Sequence, residues 1–342
     1  MNPTPSSSLP YITAAVVNYN GRKFLEHSLG SLAAQENARV EIILVDNAST
    51  DDSLEFVRAR FAQARILANA RNAGYSAALN QAVDVMQGDY FLAMNTDIAL
   101  KPRFLEHLAA CIARRRAEGC GYAQGKVRYM TEDGRRTNGI YSTGHLFGLN
   151  RLVYNRGQGH PDRAQFEREE RIPGGNAASL LMSREMLDDM RAGVGVFDPL
   201  FFMYGGDVDF DWLAARRGWA CWYCPEAVAF HIGEASSRIT SRGFDAAFVN
   251  ARFLAMIKND RLGDVLRDLP RIARANARDL ISKVRRNPPL LWQIPIDLAR
   301  HVPAALRSRR ATRRLRVPRP GGVAMPARRW MLWSVELLRK PV

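Results

Sequence analysis

The chain has 342 residues, of which 47% are hydrophobic and 24% are charged, so it can bury a large core and is expected to form one domain with an appendage. Its four cysteines do not suggest a disulfide framework, and no internal repeat is evident. The formal net charge of +15 lies entirely in residues 261–342, which carry 20 Lys and Arg against five Asp and Glu.

The first hundred residues alternate predicted strands with predicted helices. Strands are predicted at Tyr11–Val17, Val40–Val45 and Arg65–Ala68, and residues 91–94 form a fourth apolar run. Amphipathic helical segments follow the first three strands. Ser49 or Thr50 is predicted to cap the second helix, near Asp52. Strands that alternate with helices predict an α/β fold with a parallel, doubly wound sheet.

Polar side chains stand at the carboxyl ends of three of these strands. Asn18 and Asn20 follow the first, Asp46 follows the second, and Asn95 and Asp97 follow the fourth. In such sheets ligands bind beyond the carboxyl ends of the strands, so these residues predict a crevice of nucleotide size.

Two interpretations of Asn95-Thr96-Asp97 remain open at this point. Asp97 could hold a hard divalent cation that bridges substrate phosphates, or the segment could be an ordinary strand-end turn. Asp46 could accept a hydrogen bond from a base or ribose, or act as a turn residue. No dinucleotide-binding glycine motif follows the first strand, and no P-loop motif occurs in the chain.

Four motifs in order resemble those of family 2 glycosyltransferases, in particular the rhamnosyltransferase-like branch. They are 16–21 (Val-Val-Asn-Tyr-Asn-Gly), 45–51 (Val-Asp-Asn-Ala-Ser-Thr-Asp), 72–80 (beginning Asn-Ala-Gly-Tyr) and 95–97 (Asn-Thr-Asp). The resemblance covers about residues 11–240. It implies a GT-A-like, mainly parallel sheet flanked by helices. It also implies an inverting enzyme that uses a nucleotide sugar and Mg²⁺ or Mn²⁺ held by Asp97. The donor-binding residues that it implies are Asn18, Asn20, Asp46, Asn72, Gly74, Asn80 and Asn95.

A second block, residues 201–210 (Phe-Phe-Met-Tyr-Gly-Gly-Asp-Val-Asp-Phe), resembles the family's acceptor motif. The resemblance implies that Asp207 is the general base and that Asp209 orients the site. Both could instead cap a helix predicted over 209–217. The family usually has Glu where this chain has Gly206. Within the same resemblance, Gly174, Gly175, Asn176 and Tyr204 are acceptor-binding residues.

His231 ends another apolar run, and in some members of the family a histidine here completes the metal sphere. A neutral imidazole is a plausible metal ligand, although a lone histidine is more often structural. Cys221 and Cys224 lie three residues apart in a predicted strand, so they should face opposite sides and form no zinc or redox motif.

Three regions are predicted. Residues 1–10 lack signal-peptide features and should be a disordered lead-in. Residues 11–243 should form the glycosyltransferase domain, with a nucleotide-sugar half (11–130) and an acceptor half (131–243). Residues 244–342 should form a basic helical C-terminal extension, whose Arg, Trp and Leu suit an anionic membrane surface. No nucleic-acid-binding motif accompanies the arginines, so nucleic acid is not the expected partner.

The predicted activity is transfer of rhamnose or a hexose, from dTDP-rhamnose or a UDP-hexose, to a glycan or lipid-linked acceptor. The expected place is the cytoplasmic face of the inner membrane, as a peripheral protein. The alternatives left open are a nucleotidyltransferase and a non-catalytic protein that binds nucleotide sugar or nucleic acid.

Overall fold

The structure is a computed structural model that describes residues 9–233 and 244–338. Most of the predicted lead-in and the last four residues lie outside the described residues. The strands are β1 (Tyr11–Asn18), β2 (Arg39–Asp46), β3 (Arg65–Ala68), β4 (Tyr90–Asn95), β5 (Ile98–Leu100), β6 (Cys120–Met130), β7 (Arg136–Ser142), β8 (His145–Phe147), β9 (Val153–Asn155), β10 (Glu170–Ile172), β11 (Ser179–Ser183) and β12 (Ala220–His231).

The α-helices of the described residues form an N-terminal set within residues 22–217 and a C-terminal set within residues 244–338. The first set is α1 (Arg22–Ala33), α2 (Ser53–Arg60), α3 (Tyr75–Val85), α4 (Phe104–Arg114), α5 (Arg184–Met190) and α6 (Gly206–Arg217). The second set is α7 (Phe244–Asn259), α8 (Leu262–Arg286), α9 (Leu290–Ala311) and α10 (Ala327–Leu338).

One large sheet positions the site. Its strand order is β10-β12-β6-β11-β4-β1-β2-β3, with β5 added to β12 and β7 added to β6. The four strands of the first half, β3-β2-β1-β4, are all parallel, whereas β11 runs antiparallel to both β4 and β6. The predicted α/β class is confirmed, with a mixed second half that strand alternation alone did not reveal.

The sheet is covered on both faces, which explains its continuous apolar strands. Side chains of successive strand residues enter two different cores, as the strand period of two requires. Cys221 packs in one core and Cys224 in the other. The prediction that these two cysteines face opposite sides is therefore confirmed.

Two local predictions about helix starts were wrong. The α2 helix has Asp52 at its N-cap position, without a side-chain cap, because the Ser49 hydroxyl donates to Asp46 Oδ1 instead (2.6 Å). The helix expected over 209–217 begins three residues earlier, after Gly205, whose φ of +82° lets the chain turn into α6.

The C-terminal helices pack against residues 11–233, the part of the chain that contains the sheet. Lys258 of α7 is fully buried, and its Nζ lies 2.6 Å from both Asp198 Oδ2 and Asp209 Oδ2. Trp330 of α10 is buried beside Phe147, and its Nε1 donates to Pro173 O (3.1 Å). None of the helices in the described ranges is long and apolar enough to cross a bilayer.

Candidate active site

A cavity of about 610 Å³ lies beyond the carboxyl ends of β1 and β4. The turn after β2 and the start of α3 form part of its wall, and the β8–β9 hairpin forms another part. The segment 202–208 and one face of α7 complete the wall. This position agrees with the general location of ligands in open α/β sheets.

Asp97 and His231 meet in this cavity. His231 ends β12, which pairs antiparallel with β5, and its Nε2 lies 3.0 Å from Asp97 Oδ1. Burial would raise the pKa of Asp97, but the charge and hydrogen bond of His231, helped by Asn95, outweigh burial and lower it. The edge of the Tyr141 ring packs against His231, with ring centroids 4.4 Å apart.

These residues fit a divalent cation. Asp97, Asn95 and His231 all line the cavity and offer oxygen and nitrogen donors, which suit Mg²⁺ or Mn²⁺. Nδ1 of His231 is buried and has no hydrogen-bond partner among the described residues. A buried polar atom without a partner is costly, so this orphan nitrogen favours a ligand-binding role over a purely structural histidine.

Asp207 lies in the first turn of α6 and also faces the cavity. Its Oδ1 accepts from the Val208 amide (2.9 Å), and its Oδ2 accepts weakly from the Ala177 amide (3.4 Å). The Asp207 side chain is 22% exposed to solvent, so a ligand can reach it. Burial, together with the negative charges of Asp207 and Asp97, raises the pKa of both Tyr75 and Tyr141. The Asp97 and Asp207 carboxylates are therefore both close enough to Tyr75 and Tyr141 to raise the pKa of each hydroxyl.

Five of the other predicted site residues line the cavity. They are Asn72, Gly74, Asn95, Asn176 and Tyr204. Gly74 has a φ of +84°, and a Cβ there would lie 2.6 Å from Phe202 O, so only glycine fits. Because the Tyr75 amide donates to Phe202 O, the start of α3 is joined directly to the segment 202–208.

Asn18, Asn20 and Asp46 lie behind the wall rather than on it. Asp46 is buried, and its carboxylate accepts from Asn18 Nδ2 (2.8 Å) and from the Ser49 hydroxyl and amide. Asn20 Oδ1 accepts from the Thr50 amide (2.7 Å). The direct donor contacts expected of these three residues do not fit this arrangement. Their network instead fixes the β1 and β2 ends that carry Tyr19 and Asn47 on the wall.

Asn80 and Asp209 are also absent from the wall. The Asn80 side chain bonds the backbone of Val196 and Phe197, so it anchors a loop. Asp209 is buried, bonded to Lys258 and to Asn259 Nδ2 (2.6 Å), which agrees with the orienting role expected of it.

Gly174 and Gly175 are predicted to contact the acceptor, but the Asp211 carboxylate lies against both of them. A Cβ at Gly174 would lie 2.0 Å from Asp211 Oδ2, and the Gly175 amide donates to Asp211 Oδ1 (3.2 Å). Gly174 is needed because this buried carboxylate fills the space beside it, whereas a Cβ at Gly175 would meet Leu180 Cδ1 at 2.4 Å.

Sequence reasoning missed two titratable residues. Asp211 Oδ2 lies 2.8 Å from His145 Nδ1, and His145 Nε2 lies 3.8 Å from Asp207 Oδ2. The spacing of Asp207 and Asp211, four residues apart on a helix, places them on one face and could have indicated the second carboxylate. Nothing in the sequence placed His145 beside them.

A group of potential metal ligands lies elsewhere, at Cys111, Glu169 and Cys224. Glu169 already pairs with Arg114 (2.6 Å) and Arg115 (2.7 Å), so two positive charges oppose a cation there. Within residues 9–233 and 244–338, no Lys or Arg forms an ion pair with Asp97, whose partner is His231.

Comparison with known proteins agrees with this geometry. The family model described as Glycosyl transferase family 2 matches residues 13–191, which is more than half of the chain. The succinoglycan biosynthesis protein ExoO of Rhizobium meliloti is 28% identical over 45% of this chain, but the match covers only 43% of that protein. An N-acetylglucosaminyl-diphospho-decaprenol L-rhamnosyltransferase of Mycobacterium tuberculosis is 26% identical over 64% of this chain and 75% of its own length.

Solved structures share the fold at low sequence identity. GalNAc-T7, crystallised with UDP, GalNAc and Mn²⁺, superposes with a TM-score of 0.58 and 14% identity over 74% of this chain and 48% of that one. Residues 1–349 of S. aureus TarS give a TM-score of 0.50 and 15% identity, covering 90% of this chain and 88% of that one.

Proposed function

Because this chain belongs to glycosyltransferase family 2, we propose that it moves a sugar from a nucleoside diphosphate to an acceptor hydroxyl, with inversion at the anomeric carbon. The observation that carries the proposal is the sharing of one cavity by the Asp97–His231 pair and Asp207. Asp97 and His231 can hold the divalent cation that binds the donor phosphates, and Asp207 can receive a proton from the acceptor hydroxyl.

On the donor side, Asp97, Asn95 and His231 would hold Mg²⁺ or Mn²⁺. When bound, the cation would neutralise negative charge on the departing nucleoside diphosphate. Asn72 lines the same cavity and offers its Nδ2 amide group to the nucleoside. The buried Asn47 side chain supports this wall instead, because its Nδ2 donates to Gly74 O and its Oδ1 accepts from Asn69 Nδ2. The network of Asn18, Asn20 and Asp46 would keep this corner of the sheet rigid.

On the acceptor side, Asp207 would take the proton of the acceptor hydroxyl as its oxygen attacks the anomeric carbon. A carboxylate within hydrogen-bond reach of the attacking oxygen is what this displacement needs. Asp209 and Lys258 would act indirectly, by fixing α6 against α7. Asn176 and Tyr204 remain the proposed acceptor contacts, since both line the cavity.

The donor would be dTDP-rhamnose or a UDP-hexose, and the acceptor a growing surface glycan or a lipid-linked sugar. The names of the two bacterial relatives support this range: one belongs to succinoglycan biosynthesis, and the other names a diphospho-decaprenol-linked sugar. We also propose that the C-terminal helices hold the enzyme at the cytoplasmic face of the membrane as a peripheral protein.

The membrane-facing surface would be the starts of α8 and α9. Leu262 and Leu266 are 73% and 61% exposed on α8, and Leu291 and Trp292 are 54% and 60% exposed on α9. Arginines surround both patches in the sequence, a combination that suits an anionic interface. Trp330, which the sequence also suggested for this surface, is instead buried against the catalytic region.

A panel of nucleotide sugars tests the proposal. Thermal shift with and without Mn²⁺ identifies the donor, and release of nucleoside diphosphate with an acceptor analogue then measures transfer. A glycosyltransferase binds one donor more tightly with metal and turns it over. Affinity without turnover would indicate a binding protein, and release of pyrophosphate from a nucleoside triphosphate with a sugar phosphate would indicate a nucleotidyltransferase.

A further inference from the structure

A chain of three titratable side chains runs from the cavity into the interior. His145 stands between two carboxylates, with Nδ1 2.8 Å from Asp211 Oδ2 and Nε2 3.8 Å from Asp207 Oδ2. Asp207 and His145 line the cavity, whereas Asp211 is completely buried behind them. The His145 imidazole therefore lies between the proposed base, Asp207, and the buried Asp211 carboxylate, which no ligand can reach.

The fold fixes this arrangement from two directions. Asp207 and Asp211 are four residues apart on α6 and so share one face of the helix. His145 begins β8, and its amide donates to Gly174 O (2.8 Å), which holds the strand beside α6. The Gly175 amide donates to Asp211 Oδ1, so the carboxylate is held in place and turned toward His145.

The electrostatics favour a positive charge on His145. Burial would lower the pKa of His145, but the hydrogen bond to Asp211 and the charges of both carboxylates outweigh it and raise the pKa. Burial raises the pKa of Asp211 to about 6. The other titratable groups beside Asp211 are the Tyr122 hydroxyl and the Cys221 thiol, and burial raises the pKa of both, so they stay neutral.

We propose that His145, held by Asp211, is a positioning residue that places a positive charge beside the Asp207 carboxylate. The proposal rests on the proposed function, because it assigns Asp207 the role of base. A carboxylate next to a cation stays ionised at lower pH than one without it. The imidazolium would therefore extend sugar transfer toward acid pH.

The pH dependence of transfer separates this role from a structural one. His145→Gln keeps a polar side chain but cannot carry the charge, so its acid limb should move to higher pH by roughly one unit. Near the alkaline plateau its rate should approach that of the wild type. His107→Gln, on α4 away from the cavity, is the matched control and should leave the profile unchanged.

A rate loss of equal size at every pH in His145→Gln, or an unchanged profile, would overturn the proposal while leaving the proposed function intact. NMR titration of the histidine rings in the full chain gives a readout independent of turnover. The His145 signal, identified by its absence in His145→Gln, should titrate above the ordinary value of about 6.5 and fall in Asp211→Asn. Titration at or below that value would also overturn it. If the wild type transfers no sugar, the proposed function fails, and the NMR result still decides whether His145 carries the charge.

Discussion

His231 Nε2 lies 3.0 Å from Asp97 Oδ1, although 134 residues separate them in the chain. The contact exists because β12 returns antiparallel along β5, which places the last residue of one strand beside the turn that precedes the other. A turn residue and a strand-end histidine thus become a pair at the edge of the cavity. This pairing favours the metal-ligand interpretation of both residues over the turn and structural interpretations.

Replacement of Asp97 tests the metal assignment. Asp97→Ala should abolish metal-dependent donor binding, because it removes the only carboxylate among the three proposed metal ligands. Isothermal calorimetry with the donor, with and without Mn²⁺, measures the effect. Asp188→Ala, an exposed change on α5, is the control. Unchanged Mn²⁺-dependent affinity in Asp97→Ala would show that the cation is held elsewhere.

The glycine that replaces the family's usual Glu has a structural partner in Ser76. A Cβ at Gly206 would lie 2.6 Å from Ser76 Oγ, and that hydroxyl donates to Phe201 O (2.8 Å). Gly206→Ala should therefore displace the hydroxyl and cost about 1 kcal/mol, the usual worth of a hydrogen bond.

The same substitution should cost much less in a Ser76→Ala background, where the nearest Ser76 atom, Cβ, is 4.0 Å away. Urea unfolding of the four proteins of this double-mutant cycle measures the coupling. Strictly additive effects would refute the link between Ser76 and Gly206.

The buried Lys258 side chain anchors α7 to Asp198 and to Asp209 of α6. Lys258→Met would leave Asp198 and Asp209 without their shared cation in the interior, which should destabilise the fold by about 3–5 kcal/mol. Thermal unfolding is the measurement, and Lys23→Met, at an exposed ion pair, is the control. A melting temperature as high as that of the control would contradict the assignment.

Truncation after Lys258 would also strip α10 from Phe147, so it cannot serve as a clean test of the C-terminal helices.

Surface substitutions test membrane attachment without disturbing the core. Leu291→Ser with Trp292→Ser removes two exposed apolar side chains and should weaken binding to anionic liposomes roughly tenfold or more. Leu9→Ser, at an exposed residue before β1, should have no effect. High salt should release the wild type, since each arginine near the surface contributes about 1 kcal/mol that salt screens. If all variants sedimented equally with anionic liposomes, α9 would not be part of the proposed membrane-facing surface.

Much of the first half could be predicted because its evidence is local. The four strands of residues 11–95 follow from apolar runs, and the positions of Asn95 and Asp97 follow from where a run stops. Ser49 was misassigned as a helix cap because its hydroxyl had a stronger partner in Asp46, which a sequence pattern cannot reveal.

The second half depends on contacts between distant segments. Gly174 and Gly175 look like an open turn until Asp211 is placed against them. His145 acquires its neighbours only through the β8–β9 hairpin. The arginines and tryptophans of residues 261–342 are predicted to face solvent or a membrane, yet Trp330 is buried. Composition gives the charge of a segment, but packing decides which of its residues face outward.

Asp207→Asn tests the central claim most directly. The substitution preserves the size of the side chain and one of its two acceptor oxygens but removes the ability to accept a proton, so donor affinity should be unchanged. The transfer rate at saturating donor and acceptor should fall at least about 10²-fold, the usual contribution of a positioned base. A variant that binds donor normally and transfers sugar at a rate near that of the wild type would contradict the role of Asp207 as the base.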